Sequence, residues 1–127
     1  PGIPLALLYP DRRFWLLDAN GKKTRFVRQA LMNLGLTNCE AVQARMESYR
    51  PARKFATIVA RAVASLSELR ALGEPLLDRP GRLLLMKGRT PEAEMEDLTP
   101  RPDALMVHRL EVPFVVGERH LIEVRMD

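Results

Sequence analysis

Three short runs of this chain are apolar almost without a break: Phe14-Trp15-Leu16-Leu17, residues 55–60, and Leu83-Leu84-Leu85-Met86. A strand with one wet face alternates apolar and polar residues. A run without alternation predicts a strand covered on both faces, as in a parallel sheet. The segments between the runs carry helical spacing. Asn20 is placed to cap a helix running to Leu34, with Phe26, Val27, Ala30, Leu31 and Leu34 as its apolar face and Gly35 as its stop. Ser65-Leu66-Ser67-Glu68 has the spacing of a capping box and opens a helix that ends before Pro80. Thr90 and Pro91 open a short acidic helix. Residues 5–8 read as the end of a first helix, residues 39–43 as a short strand and residues 45–51 as a loop or single helical turn.

The character changes near the end. Residues 105–112 and 120–126 read as two strands with no helix between them. Their connection, residues 113–118, is too short for a right-handed crossover, so the pair is expected to be antiparallel. The predicted fold is therefore α/β, a Rossmann-like, mostly parallel sheet with helices on both faces and a C-terminal antiparallel hairpin. Dinucleotide dehydrogenases usually repeat the parallel unit. Methyltransferases that use S-adenosylmethionine finish with a reversed strand beside a parallel sheet.

With 46% apolar residues the chain can bury a core and is not expected to be disordered. No apolar run approaches the roughly 18 residues that span a bilayer, so no membrane partner is expected. The single Cys39 cannot form an internal disulfide and reads as a small buried hydrophobe, which favours a reducing, cytoplasmic setting. Net charge is +4 and Arg far outnumbers Lys. Arg binds phosphate bidentately, so a nucleic-acid partner is one reading and a high-GC coding bias the other. The sequence has no Cys/His cluster with metal spacing, no G-x-S-x-G, no phosphate loop ending in Gly-Lys-Ser/Thr and no paired carboxylates of the hydrolytic kind. Methyl transfer fits an enzyme lacking its own acid, base or nucleophile, since catalysis can be mostly in-line positioning.

Candidate site residues fall at strand ends. Asp18 closes the first apolar strand, where a carboxylate can accept both hydroxyl hydrogens of a ribose; the competing reading is a helix cap. Gln43-Ala44-Arg45-Met46-Glu47 follows the next strand. Met46 on an adenine face and the backbone near Glu47 at its edge is one reading, a surface turn the other. Arg61 follows residues 55–60 and could hold a carboxylate or phosphate, or make a surface ion pair. Lys87-Gly88-Arg89 ends the third strand, and Gly117-Glu118-Arg119-His120 forms the hairpin tip. His108 is assigned no role, and Lys22, Lys23, Arg25 and Arg28 read as a solvated helix face.

These segments occur together, in one order, in a known group. Pro1-Gly2-Ile3-Pro4-Leu5-Ala6, Leu16-Leu17-Asp18, Gly21-Lys22-Lys23 with Phe26, Gln43-Ala44-Arg45-Met46-Glu47, Arg61-Ala62-Val63-Ala64-Ser65-Leu66, Met86-Lys87-Gly88 and Gly117-Glu118-Arg119-His120-Leu121 resemble the bacterial glucose-inhibited division protein B family over essentially the whole chain. The resemblance implies a class I methyltransferase fold, S-adenosylmethionine as cofactor, and transfer of its methyl group to N7 of a guanine in 16S ribosomal RNA. The partner would be that RNA or the 30S subunit, and the protein would be a monomer. Position by position, Asp18 would take the ribose, and Met46 and Glu47 would line the adenine pocket. Arg61 would lie at the methionine end of the cofactor or near the base. Arg45, Lys87, Arg119 and His120 would face the RNA.

Guanine N7 carries a free lone pair, so its attack needs no general base. In paired A-form RNA the atom lies in the deep major groove, so an unpaired or flipped guanine is expected. The departure from the family is at the front. Members carry a helical extension, a first strand and the loop Asp-x-Gly-x-Gly-x-Gly-Leu before Pro-Gly-Ile-Pro. The expectation is that residues 1–127 are the C-terminal part of one methyltransferase domain, with its first strand missing. Alone they would be inactive and poorly stable. An NAD-type dinucleotide enzyme and a non-catalytic RNA-binding remnant are the competing readings.

Overall fold

A computed structural model describes residues 1–61, 64–89, 92–96, 98 and 104–127. The chain divides into two compact units, residues 1–50 and 51–127.

The first unit is helix α1 (Gly2–Leu8), strand β1 (Phe14–Asp18), helix α2 (Gly21–Leu34), strand β2 (Cys39–Gln43) and one 3₁₀ turn, Met46–Ser48. β1 and β2 are parallel and in register from Phe14 with Cys39 to Asp18 with Gln43. Helix α1 lies directly on β1: a Cβ on Gly2 would run into the Leu16 side chain. The Asn38 amide donates to the carbonyls of Ala6 and Arg12 at 3.0 Å, with Tyr9 at 3.2 Å, tying the end of α1 to the start of β2. Helix α2 begins and ends as its sequence predicts. Asn20 accepts from the Lys22 and Lys23 amides, and Gly35 turns into the left-handed region at φ 64°.

The apolar face of α2 needs a correction. Thr24 and Leu31 are its buried residues, and Phe26 is 73% exposed, with Leu34 exposed as well. Two strands give a helix only a narrow surface to cover. The inward stripe is Thr24 and Leu31, with Val27 and Ala30 half-buried, and Phe26 lies outside it. Thr24 can be buried because its hydroxyl donates to the Asn20 carbonyl at 2.8 Å.

The second unit is strand β3 (Phe55–Arg61), helix α3 (Leu66–Gly73) with a 3₁₀ turn (Glu74–Leu76), strand β4 (Leu77–Lys87), helix α4 (Glu92–Glu96), strand β5 (Ala104–Leu110) and strand β6 (Arg119–Met126). The strand order is β3-β4-β6-β5. β3 and β4 are parallel, and β6 is antiparallel to both β4 and β5. The mostly parallel sheet with a reversed C-terminal strand is thus as predicted. Helix α3 opens on the expected capping box, Ser65 Oγ accepting from the Glu68 amide and the Glu68 carboxylate from the Ser65 amide. Its Leu66 and Leu69 pack on Leu83 and Leu85 of β4 and Ile122, Val124 and Met126 of β6, forming the core.

Helix α3 ends before Pro80 as expected, at Gly73, but β4 starts at Leu77, well before the apolar run. β3 pairs with β4 through Phe55–Leu77 and then Thr57–Arg82, so residues 78–81 bulge from the ladder. Gly81 is required there, because a Cβ would strike the Asp78 carbonyl oxygen. Thr90 and Pro91 lie outside the described residues, though α4 follows them. Among the described residues no helix is long and apolar enough to cross a membrane.

The bulge makes a direct prediction. Gly81→Ala should destabilise the fold by roughly 1–3 kcal/mol, the usual cost of an overpacked site. Denaturant unfolding of the variant measures this, and an unchanged midpoint would refute the bulge as described.

Candidate functional site

The sequence-predicted residues gather in two groups, one at the carboxyl end of the strands in each unit. In the first unit, Asp18 ends β1 opposite Gln43, and its carbonyl accepts from the Ala44 amide at 3.1 Å. One carboxylate oxygen, Oδ1, accepts from the Asn20 amide at 2.8 Å. Asn20, not Asp18, caps α2. The second carboxylate oxygen makes no hydrogen bond among the described residues. Gly21 lets the helix start close to this edge, since a Cβ there would lie 2.9 Å from the Gln43 amide nitrogen.

The chain leaves β2 into the 3₁₀ turn. Met46 is half-buried, and Arg45 and Glu47 are exposed. The turn is held by its own backbone: the Arg45 carbonyl accepts from the Ser48 amide at 3.2 Å and from its hydroxyl at 3.3 Å. Arg50 braces it from outside, donating to the Glu47 and Tyr49 carbonyls, each at 3.0 Å. The Arg45 guanidinium and the Glu47 carboxylate have no ion pair among the described residues.

In the second unit the reversed strand does the gathering. Because β6 runs against its neighbours, its first residues lie where β3, β4 and β5 end. Lys87 of β4 is opposite His120, and Leu110 of β5 is opposite Arg119. Arg61, the last residue of β3, pairs with Met86. A cavity of about 680 Å³ opens at this edge, with Arg61, Lys87, Arg119 and His120 in its wall. Met86, Leu110 and Val112 supply apolar lining.

The four polar residues are not equivalent. Lys87 is largely buried and committed: its ammonium donates to the Ala64 carbonyl at 3.1 Å and pairs with Glu94 at 3.4 Å. The same Glu94 oxygen accepts from the Leu66 amide at 3.1 Å, so one carboxylate holds both the lysine and the start of α3. His120 is 7% exposed. Its Nδ1 lies 2.7 Å from the Gly88 carbonyl. A carbonyl only accepts, so Nδ1 carries the proton, and Nε2 of the neutral ring is an acceptor. Arg119 is exposed and donates to the Glu118 carbonyl at 2.7 Å. Arg61 is exposed and has no ion pair among the described residues.

On the sheet face opposite the core lies a cluster that sequence reasoning missed. Glu123 is only 6% exposed. Its Oε1 accepts from Arg125 Nε at 2.9 Å and lies 3.7 Å from the Arg82 guanidinium, and its Oε2 lies 3.0 Å from His108 Nε2. Arg82 and Arg125 are direct cross-strand partners, so the carboxylate also relieves a like-charge pair. The hydrogen bond from Arg125, with help from His108 and Arg82, holds the Glu123 carboxyl below its ordinary value despite burial. His108 thus has a structural partner. The signal in sequence was only that Glu123 interrupts an apolar strand. Cys39 is partly buried, and that burial pushes its thiol up. Among the described residues no group of His, Cys, Asp or Glu is placed to hold a metal ion.

Comparison with known proteins agrees with the fold. The GidB family model, described as rRNA small subunit methyltransferase G, matches residues 1–122. The ribosomal RNA small subunit methyltransferase G of Methylococcus capsulatus is 54% identical over 125 residues, covering 98% of this chain and 60% of that protein. The protein of the same name from Psychromonas ingrahamii is 42% identical over the same shares. The chain therefore spans about 60% of the length of these curated relatives. Among solved structures, a precorrin-6y C5,15-methyltransferase from Geobacter metallireducens superposes with a TM-score of 0.69 at 15% identity, covering 98% of this chain and 73% of that one.

The Glu123 cluster makes stability depend on acid. A carboxyl whose pKa is lowered by folding contributes stability that is complete above its ordinary value of 4.5 and is lost as pH falls through its folded value. The drop in unfolding free energy below pH 4.5 should shrink in Glu123→Gln, measured by denaturant titration across that window. An unaltered acid dependence in the variant would contradict this account.

Proposed function

The chain belongs to the rRNA small subunit methyltransferase G family, and from that membership we propose that it forms most of a catalytic domain methylating N7 of a guanine in 16S ribosomal RNA, with S-adenosylmethionine as donor. The observation that carries the reading is the Asp18 carboxylate. It stands at the carboxyl end of a parallel strand, and Asn20 has taken the helix cap that would otherwise explain it. Ligands of open α/β sheets bind outside such strand ends. The reversed β6 also fits a methyltransferase sheet better than the repeated parallel unit of a dinucleotide dehydrogenase.

The residues present fit the cofactor. Asp18 keeps one oxygen on the Asn20 amide and has the other for a ribose diol. Met46 would cover an adenine face, and the backbone at Glu47 would meet the ring edge. When bound, S-adenosylmethionine supplies a methyl group already activated by its sulfonium.

The residues of the second unit act on the RNA. Arg61 and Arg119 carry uncommitted positive charge and would bind phosphates. Arg45 would add a phosphate contact in the first unit. Lys87 shapes the wall through Ala64 and Glu94. His120, with Nδ1–H given to Gly88, offers Nε2 as an acceptor for an N–H on a base edge. No residue has to remove a proton, because guanine N7 attacks through its own lone pair. The methylated base is cationic, so the arginines serve the phosphates while repelling the product.

The reading is tested on the complete protein by calorimetric titration of S-adenosylmethionine and by methylation of 16S RNA or 30S subunits. Asp18→Ala should weaken cofactor binding about 10- to 100-fold, the value of hydrogen bonds to a charged group. Unchanged cofactor affinity in that variant would sink the assignment. Arg119→Ala should raise the KM for RNA and leave cofactor affinity unaltered; the reverse pattern would remove Arg119 from the RNA side.

A further inference from the structure

The turn joining β5 to β6 is apolar where hairpin turns are ordinarily polar. It reads Val112-Pro113-Phe114-Val115-Val116-Gly117. Phe114 is fully exposed, at 106% of its reference surface, and Val116 is 96% exposed. Phe114 also has a φ of 65°, in the left-handed region that bulky side chains rarely adopt. Glycine would fit that backbone without strain and would remove the apolar exposure, and Gly117 at φ 103° already does so three residues on. The chain instead holds an aromatic ring out into solvent in an unfavourable conformation. Strain of this kind concentrates at functional positions.

The position of the tip gives it a partner. Leu110 and Val112, on the strand leading into the turn and just beyond it, line the cavity that also holds Arg61 and Arg119. Arg119 begins the strand that leaves the turn. An exposed aromatic ring is thus one residue, Pro113, removed in sequence from Val112 in the wall of a cation-lined cavity. Cationic grooves beside exposed rings bind unpaired nucleic acid, the charges tracking phosphates and the ring stacking on a base. Apolar wedges inserted between bases unstack them, and an enzyme acting on a base must take it out of the stack.

We propose that residues 112–116 are an unstacking wedge, with Phe114 stacking on a base beside the target guanine so that the guanine is held in the cavity. The proposal rests on the RNA methyltransferase reading and adds to it a contact residue.

The test uses the complete protein and an RNA stem-loop of the target region with 2-aminopurine next to the guanine. On binding, the wild type should raise 2-aminopurine fluorescence. Phe114→Ala should bind about 5- to 100-fold more weakly, the usual loss for one base–aromatic stack, and should leave the fluorescence low. Phe114→Trp should bind like the wild type, and Phe114→Leu like the alanine variant. Since the ring touches solvent only, thermal midpoints should be equal across the series. Full affinity and full fluorescence in Phe114→Ala, with a wild type that binds and methylates, would overturn the wedge alone. A wild type that neither binds nor methylates the RNA would overturn the reading beneath it. Phosphatidylglycerol vesicles separate the remaining source of an apolar, cationic tip: vesicle binding lost in Phe114→Ala, with RNA binding intact, would also overturn the proposal.

Discussion

The antiparallel ladder between β4 and β6 is the constraint on which the second unit depends. It places Ile122, Val124 and Met126 against Leu66 and Leu69, which closes the core. The same register puts Glu123 and Arg125 on the opposite face and His120 beside Lys87. A one-residue slip would exchange the faces and empty both the core and the cavity wall together. Folding and site are therefore specified by one set of backbone hydrogen bonds. Gly88, whose carbonyl fixes the His120 ring, lies directly after the last paired residue of β4.

The first unit shows a different economy. Two residues at the end of β1 are both competent helix caps, and the structure divides the work between them. Asn20 satisfies the amides of α2, while among the described residues the Asp18 side chain accepts only from the Asn20 amide. An acid freed from capping in this way remains a charged acceptor at a strand end. Had Asp18 capped the helix, the same sequence would offer no free carboxylate oxygen there.

The strands were legible because short apolar runs without alternation, bounded by turn residues, suit a strand covered on both faces. The reversed β6 was legible because so short a connection cannot make a crossover. The start of β4 was not legible. Residues 77–81 include Asp78, Arg79, Pro80 and Gly81, and they meet β3 only at Phe55, before a bulge, and β6 only where Gly81 pairs with Met126. The exposure of Phe26 was hidden for a related reason: periodicity shows that a face exists and not how much of it has a cover. Asp18, Arg61, Lys87, Arg119 and His120 could be picked out as residues at strand ends. Their inequality could not, since the partners of Lys87 are Ala64, 23 residues away, and Glu94 on helix α4. The Glu123 cluster was invisible for the same reason, being assembled across three strands.

The bond between Lys87 and Glu94 has one more consequence. Counted from the sequence, the cavity edge holds Arg61, Lys87 and Arg119 as permanent cations. Counted with their partners among the described residues, it holds only the two arginines, because Glu94 already balances the lysine while it steadies the first turn of α3. A polyanion settling on this edge would displace small counterions from its phosphates in proportion to the arginines alone. Removing Glu94 would leave the lysine's charge unbalanced, but it would also strip the Leu66 amide of its acceptor at the start of α3, whose leucines stand on β4. The electrostatic strength of the edge and the anchoring of its supporting helix are therefore set against each other through a single carboxylate.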